Sequence, residues 1–242
     1  MTKYIITIAY DGSKYCGLQK LKNQKTVQGE LERVLSNLEE NTVKVYSSGR
    51  TDRGVHAEGQ VCTFELEKNT TPYKLSYYIN RSTSPYLHVK TCEETRDKNF
   101  HPRFSVKKKT YKYIINTGPY DPIRQDYVYN YNKQLDIDAM RKAADLLTGP
   151  HNYKAFVVGK HRTCESIVDS IYIMKNENII TVQITGKAFY TYMVRYIVSS
   201  LILIGSNTIT TKDIEEMLLK GKRTIEFSPA PPNGLYLEKI EY

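Results

Sequence analysis

The chain switches repeatedly between two hydrophobic periods, and the order of the switches restricts the fold more than any other feature. Residues 3–10 alternate with period two, reading as a strand, and run into the turn signal Asp11-Gly12-Ser13. Thr26 is a helix N-cap residue, and Val27, Leu31, Val34, Leu35 and Leu38 follow at the spacing of one helical face. Residues 42–46 and 60–64 are β-type runs. Thr71-Pro72 opens a helix that reaches about Asn80, and a strand over 86–92 closes a β-α-β-β-α-β unit. The rest of the chain repeats this outline. Strands are expected over 110–115, near 126–131, and near 166–175 and 179–185. A helix over 136–147 stops at Thr148-Gly149-Pro150, a long one covers about 189–204, and a short one covers 211–220 before a last strand at 235–241. No Pro/Gly/Ser-rich linker separates the halves. The reading is an α+β fold: two tandem α/β-sandwich halves, residues 1–104 and 105–242, sharing a continuous, mainly antiparallel sheet and a central cleft.

Charge then narrows the partners. The 242 residues carry a formal charge of +9 and a pI near 9.2, which favours an anionic partner, nucleic acid first. Twenty-one tyrosines against six phenylalanines and no tryptophan suit base stacking. Cys16, Cys62, Cys92 and Cys164 form no C-x-x-C or Cys/His cluster, so neither a metal site nor a disulfide framework is expected, and a cytoplasmic location is. No signal-peptide layout precedes the first strand. The apolar run 193–205 is too short to span a bilayer and contains Arg195, so no membrane association is expected. Walker and dinucleotide fingerprints are missing, and no cofactor is called for.

The chemistry concentrates in Ser47-Ser48-Gly49-Arg50-Thr51-Asp52-Arg53-Gly54-Val55-His56-Ala57. It lies between two strands and is too long and too charged for a bare hairpin turn. Arg50 and Arg53 flank Asp52, favouring its carboxylate and making a phosphate clamp. The residues alone leave a plainer reading open, in which residues 51–54 form a type I turn with solvated charges. Arg195 is a cation on a helix apolar nearly all round; a structural salt bridge, or a stem that carries its head to water, would explain it. Lys107, Lys108 and Lys109 form either a solvated face or an RNA-phosphate patch beside a tyrosine-bearing strand. His56, His101, His151 and His161 are isolated in sequence. His56 is expected to contact RNA or make a structural hydrogen bond rather than transfer a proton.

The loop Gly49-Arg50-Thr51-Asp52-x-Gly54-Val55-His56 resembles the signature of the tRNA pseudouridine synthase A (TruA) family, whose Asp is the catalytic nucleophile. The resemblance extends over nearly the whole chain. Asp11-Gly12-x-x-Tyr15-x-Gly17-Leu18-Gln19 is similar to the family's Y-D-G-x-x-Y-x-G-W-Q, with Leu18 in place of Trp. Phe100-His101-Pro102-Arg103-Phe104-Ser105 resembles F-H-A-R-F-S. Gly149-Pro150-His151-Asn152-Tyr153 sits where the family has G-x-H-D-F. Ala188-Phe189-x-x-x-Met193-Val194-Arg195 resembles A-F-x-x-x-M-V-R, and residues 230–237 resemble A-P-x-x-G-L-x-L. Departures are Arg53, Thr110 where relatives often carry Arg, and residues 80–86 in place of N-x-x-L-P.

What the resemblance implies is a pseudouridine synthase fold with ferredoxin-like halves. It also implies a tRNA-uridine isomerase acting on the anticodon stem-loop, at tRNA positions 38–40, as a homodimer without cofactor or metal. The target uridine is flipped out of its stem. Asp52 is then the nucleophile, at C1′ or C6 of the uridine; Arg195 pairs with it, and Tyr111 stacks on the base. Leu235 walls the uracil pocket, while Arg50, Thr51, Arg53 and His56 contact substrate. Tyr113 is expected to be structural. Two other readings stay open: a non-catalytic RNA-binding or chaperone paralogue, and a pseudouridine synthase with a different RNA target.

Overall fold

A computed structural model describes residues 1–159 and 162–242; His161 lies outside the described residues. Among these, ten strands and five α-helices form a mixed α+β chain in two compact units. One comprises residues 1–107 with 236–242, the other residues 108–235. The expected division at 104/105 kept the last strand with the second half; here it belongs to the first.

The first unit contains β1 (Thr2–Tyr10), α1 (Val27–Glu39), β2 (Tyr46–Ser47), β3 (His56–Leu66), α2 (Pro72–Ser82) and β4 (Leu87–Thr95), the expected β-α-β-β-α-β order. Its strands run β4-β1-β3 antiparallel, with β2 also antiparallel to β3. The alternation in β1 buries Tyr4, Ile6, Ile8 and Tyr10 on one face, as a half-covered strand requires. Tyr4 faces Phe64 across the β1–β3 ladder, and their rings stack at 5.8 Å. The apolar stripes Val27, Leu31, Val34 and Leu35 of α1 and Leu75 and Ile79 of α2 are buried in the same core. Thr26 and Thr71 cap these helices by accepting the Gly29 and Lys74 amides.

The strand expected over 42–46 shrinks to Tyr46–Ser47, and α1 is the reason. Ser36 Oγ accepts the Val43 amide and Glu32 Oε1 the Val45 amide, so side chains take hydrogen bonds that a ladder would have used. Leu18, in place of the family's Trp, is fully enclosed, with its carbonyl accepting the Gln28 amide at 2.9 Å.

The second unit contains β5 (Lys108–Asn116), β6 (Tyr129–Asn130), α3 (Ile137–Leu146), β7 (Gly149–Asn152), β8 (Glu165–Asn176), β9 (Ile179–Gly186), α4 (Met193–Gly205) and α5 (Thr211–Lys220). The strands run β5-β9-β8-β7, all antiparallel, with β6 parallel along β5. Met140, Ala143 and Ala144 of α3 are buried; α4 is buried along most of its surface. At 13 residues α4 is core, and no helix among the described residues is long and apolar enough to cross a membrane. The last strand, β10 (Leu235–Glu241), pairs parallel with β3 through Tyr236↔His56 and Leu237↔Ala57.

Three further boundaries depart from the sequence expectation. The strand near 126–131 narrows to β6, because the Tyr127 and Val128 amides turn back onto the Arg124 carbonyl. Residues 149–152, expected as the end of the helix stop Thr148-Gly149-Pro150 and the start of a loop, form β7 with Pro150 in the end strand of the order, where a missing amide is tolerated. The long helix begins at Met193, not near 189, because Tyr192 adopts a left-handed φ of 63°.

Candidate active site

The loop between β2 and β3 is pinned at three places by the rest of its own unit. At its start, Ser48 Oγ donates to Gln60 Oε1 at 2.5 Å, and Gln60 Nε2 donates to the Gly49 carbonyl at 3.0 Å. In its middle, the hydroxyls of Thr51 and Tyr10 share a 2.7 Å hydrogen bond, and the Leu18 amide donates to the Thr51 carbonyl. At its end, Gly12 packs so closely that a Cβ there would lie 2.0 Å from the Val55 carbonyl oxygen. Only glycine permits that approach.

Asp52 sits half-buried between these anchors, and Arg50 and Arg53 on either side are exposed. The turn is not the type I turn over 51–54 that charge patterning allowed. The Val55 amide closes onto the Asp52 carbonyl at 3.2 Å, so the turn spans 52–55, and Gly54 at its third position has a φ of 82°. A left-handed third residue belongs to type II geometry and demands glycine.

His56, 2% exposed, braces the loop from inside. Its ring stacks on Tyr236 at 4.6 Å, and its Nδ1 accepts the Gly12 amide at 3.1 Å. That bond uses the Nδ1 lone pair and puts the ring proton on Nε2. The Asp11 carboxylate oxygen lies 3.4 Å from the same nitrogen. Thr51 is 7% exposed. Of the four loop residues expected to meet substrate, Arg50 and Arg53 present side chains to solvent, whereas Thr51 and His56 are enclosed and hold the loop.

In the second unit Arg195 and Tyr113 both bond to residues 229–235, the segment that ends in Leu235. Arg195 lies in the first turn of α4 rather than in mid-helix, with its guanidinium 4.6 Å above the Tyr192 ring. Its Nε donates to the Ala230 carbonyl at 2.6 Å. A cation at a helix N-terminus opposes the helix dipole, so this arginine is not there to stabilise α4. Tyr113 is fully buried, and its hydroxyl donates to the Pro231 carbonyl at 2.7 Å. Burial pushes its phenol well above the ordinary range, Tyr129 adds to that, and the Arg195 charge opposes it. Asn233 Nδ2 donates to the Gln125 and Val128 carbonyls, and Gly234 packs against the Tyr113 ring and the Ile114 carbonyl. Leu235, buried, follows directly.

Tyr111 lies two residues before Tyr113, on the same side of β5, and is partly exposed. Its ring meets the edge of Phe189 at 5.3 Å and 85°. Phe189 is itself seated on Gly186, where a Cβ would lie 3.0 Å from the phenylalanine ring. Of the basic run, Lys107 is exposed, Lys108 pairs with Asp169 at 3.3 Å, and Lys109 is partly covered. Among the described residues no cluster of three or more His, Cys, Asp or Glu side chains could hold a metal.

Sequence reasoning missed Tyr10, Gln60 and Phe189 as supports. Gln60 carried the one available signal, a glutamine at the head of the β-type run 60–64, which must find partners when buried.

The family profile described as tRNA pseudouridine synthase matches residues 6–105 and 143–242. The chain is 37% identical over 245 residues to the tRNA pseudouridine synthase A of Thermosipho africanus, covering 99% of each. It is 36% identical over 247 residues to that of Dictyoglomus thermophilum, covering 100% of each. A tRNA pseudouridine synthase A 2 of Bacillus anthracis is 33% identical over 247 residues, again covering 100% of each.

Proposed function

Because this chain belongs to the tRNA pseudouridine synthase family, we propose that it isomerises uridine to pseudouridine in tRNA, with Asp52 as the nucleophile. The observation that carries the assignment is the held carboxylate. Asp52 is half-buried in a turn that needs Gly54, on a loop anchored by Tyr10, Gly12 and Gln60, with an exposed arginine on each side. A nucleophile fixed on a rigid support loses little freedom at the moment of attack.

The reaction breaks N1–C1′, turns the uracil, and joins C5 to C1′. N1 ends with a proton, and the hydrogen on C5 leaves to solvent, so the change is an isomerisation needing no outside oxidant or reductant. The uridine is first extruded from its stem, and Arg50 and Arg53 hold the flanking phosphates. Asp52 attacks C1′ or C6. Arg195 serves as the cation that keeps the carboxylate ionised, and its fixed Nε bond to Ala230 leaves the guanidinium plane preset. Tyr111 stacks on the base and Leu235 lines its pocket. The uridines of the anticodon stem-loop, positions 38–40, are the proposed targets, and a homodimer in the cytoplasm the working form.

The test is incubation with unmodified tRNA tritiated at uridine C5, with Asp52→Ala in parallel. Tritium release by the parent and none by the variant is the expected result. Tight tRNA binding without release would identify an RNA-binding protein instead. Equal release from both would place the nucleophile elsewhere. A transcript lacking the anticodon arm should release nothing.

A further inference from the structure

Three aromatic–cation pairs converge beside the nucleophile loop. The ammonium groups of Lys14 and Lys25 lie 5.8 and 5.6 Å from the centre of the Tyr86 ring, and Lys25 also lies 5.0 Å from the Tyr15 ring. A ring attracts a cation without neutralising it, unlike a carboxylate. Among the described residues no carboxylate pairs with Lys25. The rings therefore hold Lys25 without cancelling its charge and bring Lys14 to the same Tyr86 ring.

The rings that gather it are themselves fixed. Tyr15 donates its hydroxyl to Glu30 Oε2 at 2.9 Å and lies 2.8 Å from Ser84 Oγ. Glu30 Oε1 accepts the Ser84 amide at 2.5 Å, which ties residues 84–86 to α1. The Tyr86 carbonyl accepts the Asp11 amide at 2.9 Å. Tyr86, 42% exposed, closes the segment that departs from the family's N-x-x-L-P pattern.

The cluster shares its backbone with the wall behind Asp52. Lys14 follows Gly12, whose backbone abuts Val55, within one turn of 3-10 helix, Gly12–Lys14. Gly17, with a φ of 91°, places its Cα where a Cβ would meet the Thr51 carbonyl oxygen at 3.0 Å and the Arg53 amide at 3.3 Å. The segment bearing Lys14 and Lys25 is thus in direct contact with the loop bearing Asp52.

We propose that Lys14 and Lys25, gathered by Tyr86, bind a phosphodiester of the RNA strand next to the Asp52 loop. The proposal rests on an RNA substrate for that loop. Two ammonium groups suit a phosphodiester, which offers charge and acceptors in any orientation. Extruding a uridine strains the backbone on both sides of it, and a preset pair of cations holds one of those sides. Tyr86 acts here as a positioning residue, through the lysines.

The experiment measures equilibrium binding of an unmodified tRNA transcript across a range of salt concentrations. The proteins are the parent, Lys14→Gln/Lys25→Gln, Lys14→Arg/Lys25→Arg, Tyr86→Ala and Tyr86→Phe. The double glutamine variant should bind more weakly, with a log–log salt slope shallower by about 0.7–0.9 for each phosphate no longer neutralised. Tyr86→Ala should give up part of that slope, while Tyr86→Phe and the double arginine variant should keep the parent's. Parent-like slope and affinity in the double glutamine variant would overturn the proposal. So would identical slopes for Tyr86→Ala and Tyr86→Phe, a comparison that stands even if the double variant folds poorly. Tritium release by the parent on the same tRNA separates the two readings. Release with an unchanged slope removes the phosphate site alone; a shallower slope without release keeps the site and removes the reaction.

Discussion

Arg195 and Ala230 bind each other in both directions: the Arg195 Nε donates to the Ala230 carbonyl at 2.6 Å, and the Ala230 amide donates to the Arg195 carbonyl at 3.1 Å. The side chain of the first turn of α4 is thereby aligned by a loop thirty-five residues away. Lysine keeps the charge but has neither an Nε–H at that position nor a plane to lie over Tyr192. Arg195→Lys should lower the single-turnover rate by about 10²-fold or more while leaving the melting temperature close to the parent's. A rate within a factor of a few of the parent's would remove Arg195 from the chemistry.

Gly12 tests whether Asp52 needs its support undisturbed. An added methyl would meet the Val55 carbonyl oxygen and carbon at 2.0 and 2.3 Å, both backbone atoms, so the loop itself has to move. Displacement of a reacting group by about 1 Å costs on the order of 10²-fold in rate. Gly12→Ala should therefore fold, as far-UV circular dichroism would show, and lose activity by about that factor. Parent-like turnover would show that the 48–55 loop tolerates a shift.

The basic run should not act as three equal charges. Lys108 already pairs with Asp169, whereas Lys107 is exposed. Changing Lys107, Lys108 and Lys109 together to Gln should weaken tRNA binding and flatten its salt dependence, with Lys108→Gln alone contributing least. An unchanged salt slope in the triple variant would mark the run as a solvated face.

Burial pushes the Cys62 thiol up to about 12 and the Cys92 thiol up to about 11, the neighbouring Glu93 and Glu94 adding to the second. Thiolates react and thiols do not, so native protein at pH 8 should leave Cys62 unlabelled by iodoacetamide, and denatured protein should not. The sign for stability follows. Above the unfolded value of about 8.5 the unfolded chain releases these protons while the folded chain keeps them, so stability falls as pH rises from about 9 towards 11 or 12. Cys62→Ala should show a shallower decline of melting temperature over that range; an identical decline would contradict the assignment.

Much of the fold is legible in the chain because its signals are local. The threonines at 26 and 71 stand before apolar faces at helical spacing, and α5 and β10 begin and end where the periodicity says. Expectation failed where a distant group overrode the local pattern. Ser36 and Glu32 took the amides of residues 43 and 45, and Tyr192 entered the left-handed region and delayed α4 to Met193.

For the candidate site the same division holds. By itself the sequence determined that a carboxylate stands between two arginines in a glycine-bearing loop, and that Tyr111, Arg195 and Leu235 occupy the positions of a known pattern. These are facts about order along the chain. Only the tertiary structure decided that Thr51 and His56 turn inward, that Gln60 and Tyr10 hold the loop, and that Arg195 lies in the first turn of a helix with Ala230 across from it. It also decided that Lys25 and Lys14 share the ring of Tyr86, some sixty residues further on. The reason is physical: burial and hydrogen-bond pairing depend on residues tens of positions apart, and no periodicity within a short window records which side chain of a loop the core will claim.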